Sequence, residues 1–192
     1  MYKCQWWTKR FLAIAFLTAL LPVTQADVVP AVAVPGAGAL LSAELIYPLD
    51  DTPTPQCHAS TIAETRSGLV AAWFGGKHEK NTDVGIWVSR NEGKGWGRPV
   101  KVASGAEGEE KEYPCWNPVW FQPKNGPLML IYKVGPTPSS WWGVRLVSED
   151  NGRTWGNRRK LGKNDKIGHL IGPVKNKPIQ LIDVTILCPS ST

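Results

Sequence analysis

The side chains of this protein with the means for chemistry lie in a few short stretches. Gly75-Gly-Lys-His-Glu79-Lys-Asn-Thr-Asp83 places two carboxyl groups in one loop. A carboxyl group partly withdrawn from water keeps its proton near neutral pH and can act as a general acid, as glycoside hydrolysis requires. Either Glu79 or Asp83 could serve; the competing reading has Asp83 opening a strand and Glu79 solvated between Lys77 and Lys80. His58 is a proton acceptor in the neutral range or a satisfied structural ring. Lys175, Asn176 and Lys177 could hold a carboxylate-bearing ligand, against the alternative of a solvated loop. Trp141 and Trp142 follow Gly135-Pro136-Thr-Pro138, and indole faces stack on sugar C–H surfaces and attract cations. Core packing of one of the two is an equal alternative. Lys133 ends the preceding strand and points toward the same place. No cofactor is implied and no metal-ligand spacing is present.

Groups so far apart in sequence can cooperate only if the fold converges them, and the chain repeats itself in a way that does so. Cys57-His-Ala-Ser-Thr-Ile-Ala-Glu-Thr-Arg-Ser-Gly68 precedes Cys115-Trp-Asn-Pro-Val-Trp-Phe-Gln-Pro-Lys-Asn-Gly126 at a constant offset. Ser89-Arg-Asn-Glu-Gly-Lys-Gly-Trp96 precedes Ser148-Glu-Asp-Asn-Gly-Arg-Thr-Trp155 in the same way. A third copy opens at Lys175-Asn-Lys-Pro-Ile-Gln-Leu. Each unit predicts four short strands: 59–64, 69–74, 84–89 and 100–103, then 118–122, 128–133, 144–148 and a segment near Leu161. Nothing between Cys57 and Thr192 has helical period and length. Four-stranded units in tandem predict an all-β β-propeller, of which this chain holds two blades and the start of a third. Propellers close with four or more blades, so the expectation is a truncated ring. Inner strands start at the central channel, which predicts that His58, Asn117 and Lys177 converge there.

Composition narrows the function further. The chain has 192 residues, 42% apolar and 20% charged, which excludes global disorder, collagen and a multi-span membrane protein. The formal charge of +6 shrinks once the amino terminus is set aside. Residues 1–26 carry Lys3, Lys9 and Arg10, no acid, a 13-residue apolar run from Phe11 to Val23 and the small-residue ending Thr24-Gln25-Ala26. That is the pattern of a cleaved secretory signal, too short for a span of about 20 residues. The protein is expected to be secreted or periplasmic, with no stable membrane span after cleavage. Residues 27–44 read as a linker, and 45–192 as the partial propeller. The remaining 19 basic and 16 acidic residues are scattered and carry no footprint for nucleic acid. Cys57, Cys115 and Cys188 are an odd number, so at least one is a buried thiol, a free thiol or missing its partner.

The turn Ser148-x-Asp150-x-Gly152-x-x-Trp155 has a structural logic. Ser and Asp bond back to turn amides, Gly takes a positive φ and the indole plugs the blade. The first copy has Asn91 in place of Asp. These turns, with Ala72-Trp-Phe-Gly-Gly, Asp83-Val-Gly-Ile-Trp, Pro114-Cys-Trp-Asn-Pro-Val and Gly172-Pro-Val-Lys-Asn-Lys-Pro-Ile, resemble the sialidase-like group of predicted neuraminidases with Asp-box (BNR) repeats, over the first half of that family's length. The resemblance implies a secreted glycan hydrolase acting on terminal acidic sugars, with an acidic glycan or glycoconjugate as partner. It also places an acid/base carboxylate in the 75–83 loop and the Asp boxes away from the active face. Two departures stand out: Cys57-His58-Ala59 occupies the place of a sialidase Arg-Ile-Pro motif, and Asp183-Val184 stands where the family commonly has Asp-Gly. A polysaccharide lyase using His58 as base and a non-catalytic glycan-binding propeller are the competing classes. By itself the chain is expected to be inert, because a propeller active site draws on loops from several blades.

Overall fold

The computed structural model describes residues 43–190, and residues from Leu45 onward form one compact unit. The expected leader over 1–26 and nearly all of the linker over 27–44 lie outside the described residues. Twelve strands make up the element order: β1 (Gln56–Thr65), β2 (Gly68–Gly76), β3 (Gly85–Asn91), β4 (Val100–Ala103), β5 (Cys115–Phe121), β6 (Leu128–Val134), β7 (Trp142–Ser148), β8 (Gly156–Lys160), β9 (Lys163–Asn164), β10 (Gly168–His169), β11 (Ile179–Gln180) and β12 (Ile186–Leu187). They build four antiparallel sheets, none closed into a barrel: β1-β2-β3-β4, β5-β6-β7-β8, β9 with β10 and β11 with β12. The architecture is all-β and propeller-like, with two four-stranded meanders in tandem.

The meanders form because their central strands are apolar without interruption. Strand β2 runs Leu-Val-Ala-Ala-Trp-Phe and β6 Leu-Met-Leu-Ile-Tyr; such runs belong to strands covered on both faces. One face of the first sheet presents Val70, Ala72, Phe74, Ile86 and Val88 to the second, which answers with Trp116, Trp120, Leu130, Tyr132 and Leu146. Strand β5 touches β1, β2 and β3, so the inner strand of the second sheet lies across the first. The other face of β2 is covered near Trp73 by Tyr47, whose ring lies 5.5 Å away.

Three sequence expectations need correction. The fourth strand of the second unit is β8, ahead of Leu161; all five of its residues are exposed and polar or glycine, so no apolar signal marks it. The inner strands begin earlier than expected, at Gln56 and Cys115. The third copy contributes only the two-residue strands β11 and β12, and the β9–β10 hairpin before it had no counterpart in the sequence reading. At the turn between β11 and β12, Val184 sits at φ 63, a region costly for a β-branched side chain.

The second Asp box is fully knit. Ser148 Oγ donates to Asp150 Oδ1 at 2.8 Å and accepts from Gly152 N–H at 2.7 Å. Asp150 also accepts from the Thr154 and Arg153 amides and from the Thr154 hydroxyl. Trp155 then stacks on Trp120 at 5.2 Å. In the first box Asn91 accepts from Gly93 N–H at 2.9 Å, and Ser89 Oγ turns to the Gly97 carbonyl.

The bonds from Thr154, Ser148 and Arg153 hold the Asp150 carboxyl far below the usual carboxylate range. A depressed carboxyl contributes stability above its unfolded value of about 4 and loses it as pH falls through the folded value. Asp150→Ala should therefore lower stability at pH 7 by about 1 kcal/mol, or roughly 3 °C in Tm. The gap from wild type should close progressively below about pH 4, as thermal melts at several pH values would show.

Candidate functional site

The repeat places a β-bulge at the same point of both inner strands. In β1 the register shifts between His58 and Thr61, with Ala59 at φ 52; in β5 it shifts between Trp116 and Val119, with Asn117 at φ 35. A bulge bends its strand and re-aims the neighbouring side chains. Here His58, Trp116 and Asn117 are turned into an open cleft of about 1230 Å³.

The wall of this cleft is aromatic. Phe74 from β2 lies 6.0 Å from Trp116, the His58 ring meets Phe74 edge-on at 5.7 Å, and Trp141 meets Trp116 at 5.8 Å in a T-shaped pair. Trp116 is buried and fixed by donating from Nε1 to the Gly135 carbonyl at 2.8 Å. That bond ties the 135–141 loop, and so Trp141, to the inner strand. The polar complement is sparse. Asn117, Ser139, Ser140, His169, Glu79 and Lys175 line the cleft, and Lys175 is the one lysine or arginine among the described lining residues.

The remaining expected site residues are placed elsewhere. Asp83 accepts from the Lys77 amide at 3.1 and 3.3 Å and donates its own N–H to Asn81 Oδ1, so its carboxylate closes the 77–83 loop and does not line the cleft. Trp142, one residue from Trp141 in the chain, packs away from the cleft. Tyr113 meets it edge-on at 5.4 Å and Lys160 Nζ lies 4.6 Å from its ring centroid. Asn176 is exposed and outside the cleft, and Lys177 donates to the Ile62 carbonyl of β1.

Lys133 is buried in the interior and donates to the Asn117 and Pro173 carbonyls. It positions the bulge that carries Asn117 and the strand of chain leading to Lys175, without lining the cleft itself. Sequence reasoning missed Phe74, Trp116 and His169. The first two looked like core, and His169 lies on the short hairpin that no apolar pattern announced.

The cysteines separate by environment. Cys115 is wholly buried, and burial pushes its thiol up to about 12. Cys57 is exposed and shares a hydrogen bond with the Tyr47 hydroxyl at 3.3 Å. Cys188 lines the cleft, its thiol raised by burial. All three are free.

The model of the BNR repeat-like domain matches residues 67–192, both Asp boxes included. The chain belongs to this BNR repeat-like family. Among solved structures it resembles a Hadza microbial sialidase, Hz136, with a TM-score of 0.57 and 17% identity over 70% of this chain and 32% of the sialidase. A protein of unknown function from Dyadobacter fermentans DSM 18053 gives a TM-score of 0.52 and 12% identity over 68% of this chain and 45% of that one. No curated protein matches. This BNR repeat-like chain thus spans less than half the length of either structure, and at such identities the likeness is one of fold. Among the described residues no helix is long and apolar enough to cross a membrane.

Burial draws the Lys133 ammonium down to about 7. Between there and the unfolded value near 10.4 the unfolded chain holds the extra proton, so stability should rise with pH across that window, by at most about 1.4 kcal/mol per pH unit. Lys133→Met should abolish the rise; urea titrations from pH 6.5 to 10 measure it. Labelling of the Cys4→Ser protein should tag Cys57 and Cys188 in the native state and Cys115 only after unfolding.

Proposed function

We propose that this chain is the glycan-binding arc of a sialidase-like propeller, and that its cleft holds an acidic sugar without cleaving it. The observation that supports this most is the pairing of an aromatic wall with a single cation. Trp141, backed by the buried Trp116 and Phe74, offers its ring to sugar C–H groups, Lys175 answers a carboxylate, and Asn117, Ser139 and Ser140 suit hydroxyls. Residues 1–26 add the expectation that it acts outside the cytoplasm.

The case against turnover is also geometric. Glycoside hydrolysis uses two carboxyl groups roughly 5 to 9.5 Å apart across the scissile bond. Glu79 is the only carboxylate on the described cleft wall, since Asp83 is held by the Lys77 amide. A second reading, uronate lyase chemistry, draws on His58 lying in the same cleft as Lys175 and Asn117. There the imidazole would remove the proton beside a carboxylate whose charge the lysine offsets.

Titration of the purified chain with sialyllactose and with oligogalacturonate separates these readings. Saturable binding with neither free sialic acid nor an unsaturated, ultraviolet-absorbing product is expected. Trp141→Ala should weaken that binding by about tenfold, the loss of one aromatic contact of about 1.4 kcal/mol. Release of sialic acid would overturn the inert reading, and an unsaturated product would favour the lyase.

A further inference from the structure

The second sheet carries a pair of arginines whose placement is anomalous for a β-structure. Arg145 on β7 and Arg159 on β8 are direct cross-strand partners. Side chains so paired share one face with Cβ atoms about 5 Å apart, and like charges there repel. Their neighbours on β8, Arg158 and Lys160, lie on the opposite face and are both taken by Glu107. Arg145 and Arg159 have no such carboxylate. Neither makes an ion pair among the described residues, and Arg145 Nε is buried with no hydrogen-bond partner.

The internal repeat shows what the first unit holds at this register. With Gly68 set against Gly126, the ladder pairs Phe74–Ile86 and Tyr132–Val144 are equivalent, so Arg145 answers to Trp87. Trp87 is paired with Lys101, and its indole Nε1 donates to the Gly75 carbonyl. The second unit thus places two guanidinium groups where the first has an aromatic ring and one cation. The β8 strand is bulged between the Arg145 and Val147 pairs, with Asn157 at φ 53, so Arg158 and Arg159 part to opposite faces. The row continues through Ile131, the partner of Arg145 on β6, so the guanidiniums sit beside apolar surface where water competes less well.

We propose that Arg145 and Arg159 form a binding site for an oxyanion, a carboxylate, sulfate or phosphate group, separate from the aromatic cleft. Planar guanidinium forks bind such groups in a bidentate manner, and one bound anion relieves the like-charge contact and gives Arg145 Nε its acceptor. Neither arginine lines the cleft, so the site does not depend on the cleft's ligand.

The test uses the full chain, titrated with sodium sulfate and separately with oligogalacturonate at constant ionic strength, read by calorimetry and by thermal shift. Saturable binding of sulfate is expected, weakened tenfold or more in both Arg145→Gln and Arg159→Gln. Sulfate binding should persist in Trp141→Ala, which separates this site from the cleft, where the same substitution weakens oligogalacturonate. Residual oligogalacturonate bound by Trp141→Ala and displaced by sulfate would show the arginine site open to an acidic glycan as well; binding of sulfate alone would assign it to the free anion. Circular dichroism guards against misfolding: both glutamine variants should keep the wild-type spectrum while losing the anion. Absence of saturable binding, or equal binding by wild type and the two glutamine variants, overturns the proposal.

Discussion

The structure turns on one indole. Trp116 sits where the inner strand of the second sheet crosses the first, in contact with Phe74 of β2 and held by the Gly135 carbonyl. Burying so large a ring contributes several kcal/mol, and a truncation to alanine would cost about 3 to 5 kcal/mol with no neighbour able to refill the space. The same side chain forms the cleft wall and orients Trp141. Core and site therefore share a residue, and the site is as rigid as the contact between the two sheets. Its polar parts are held less firmly. Lys175 and Glu79 stand on exposed loops, which suits groups that adapt to a ligand more than groups that must be fixed for catalysis.

Much of the fold was legible because burial on both faces writes itself into sequence. Strands β2 and β6 read as apolar runs, and the matching spacings of Gly68 to Gly126 and of Ser89 to Ser148, one residue different, tied them into equivalent units. What escaped was what packing does not dictate. Strand β8 is an exposed outer edge, polar throughout, where charge guards against pairing and leaves no pattern. The bulge at Ala59 carries no glycine or proline to announce it, whereas the one at Asn117 holds Pro118, a residue that within a strand belongs at a bulge or an edge.

The cleft was half visible for the same reason. His58, Asn117 and Trp141 could be picked out as polar or aromatic residues at strand starts and in a loop, and all three face the cleft. Trp142 could not be separated from Trp141 without knowing that β7 begins there, since alternation then sends its ring toward the core face. Asp83 looked like a carboxylate free for chemistry; the Lys77 amide that claims it becomes a partner only when the loop closes. Phe74 and Trp116 carried no signal beyond hydrophobicity, and no sequence pattern distinguishes an aromatic residue that fills a core from one that does so and also walls a binding site.

The central claim, that the residue joining the two sheets is also the floor of a sugar site, is tested most directly by the indole N–H resonances of the tryptophans. The Trp116 Nε1 proton should exchange with solvent only at the rate of global unfolding, because it is buried and bonded to Gly135. On titration with sialyllactose or oligogalacturonate its resonance should shift together with that of Trp141, while those of Trp120 and Trp155 stay still. Rapid exchange at Trp116, or ligand-induced shifts that bypass both Trp116 and Trp141, would contradict the account.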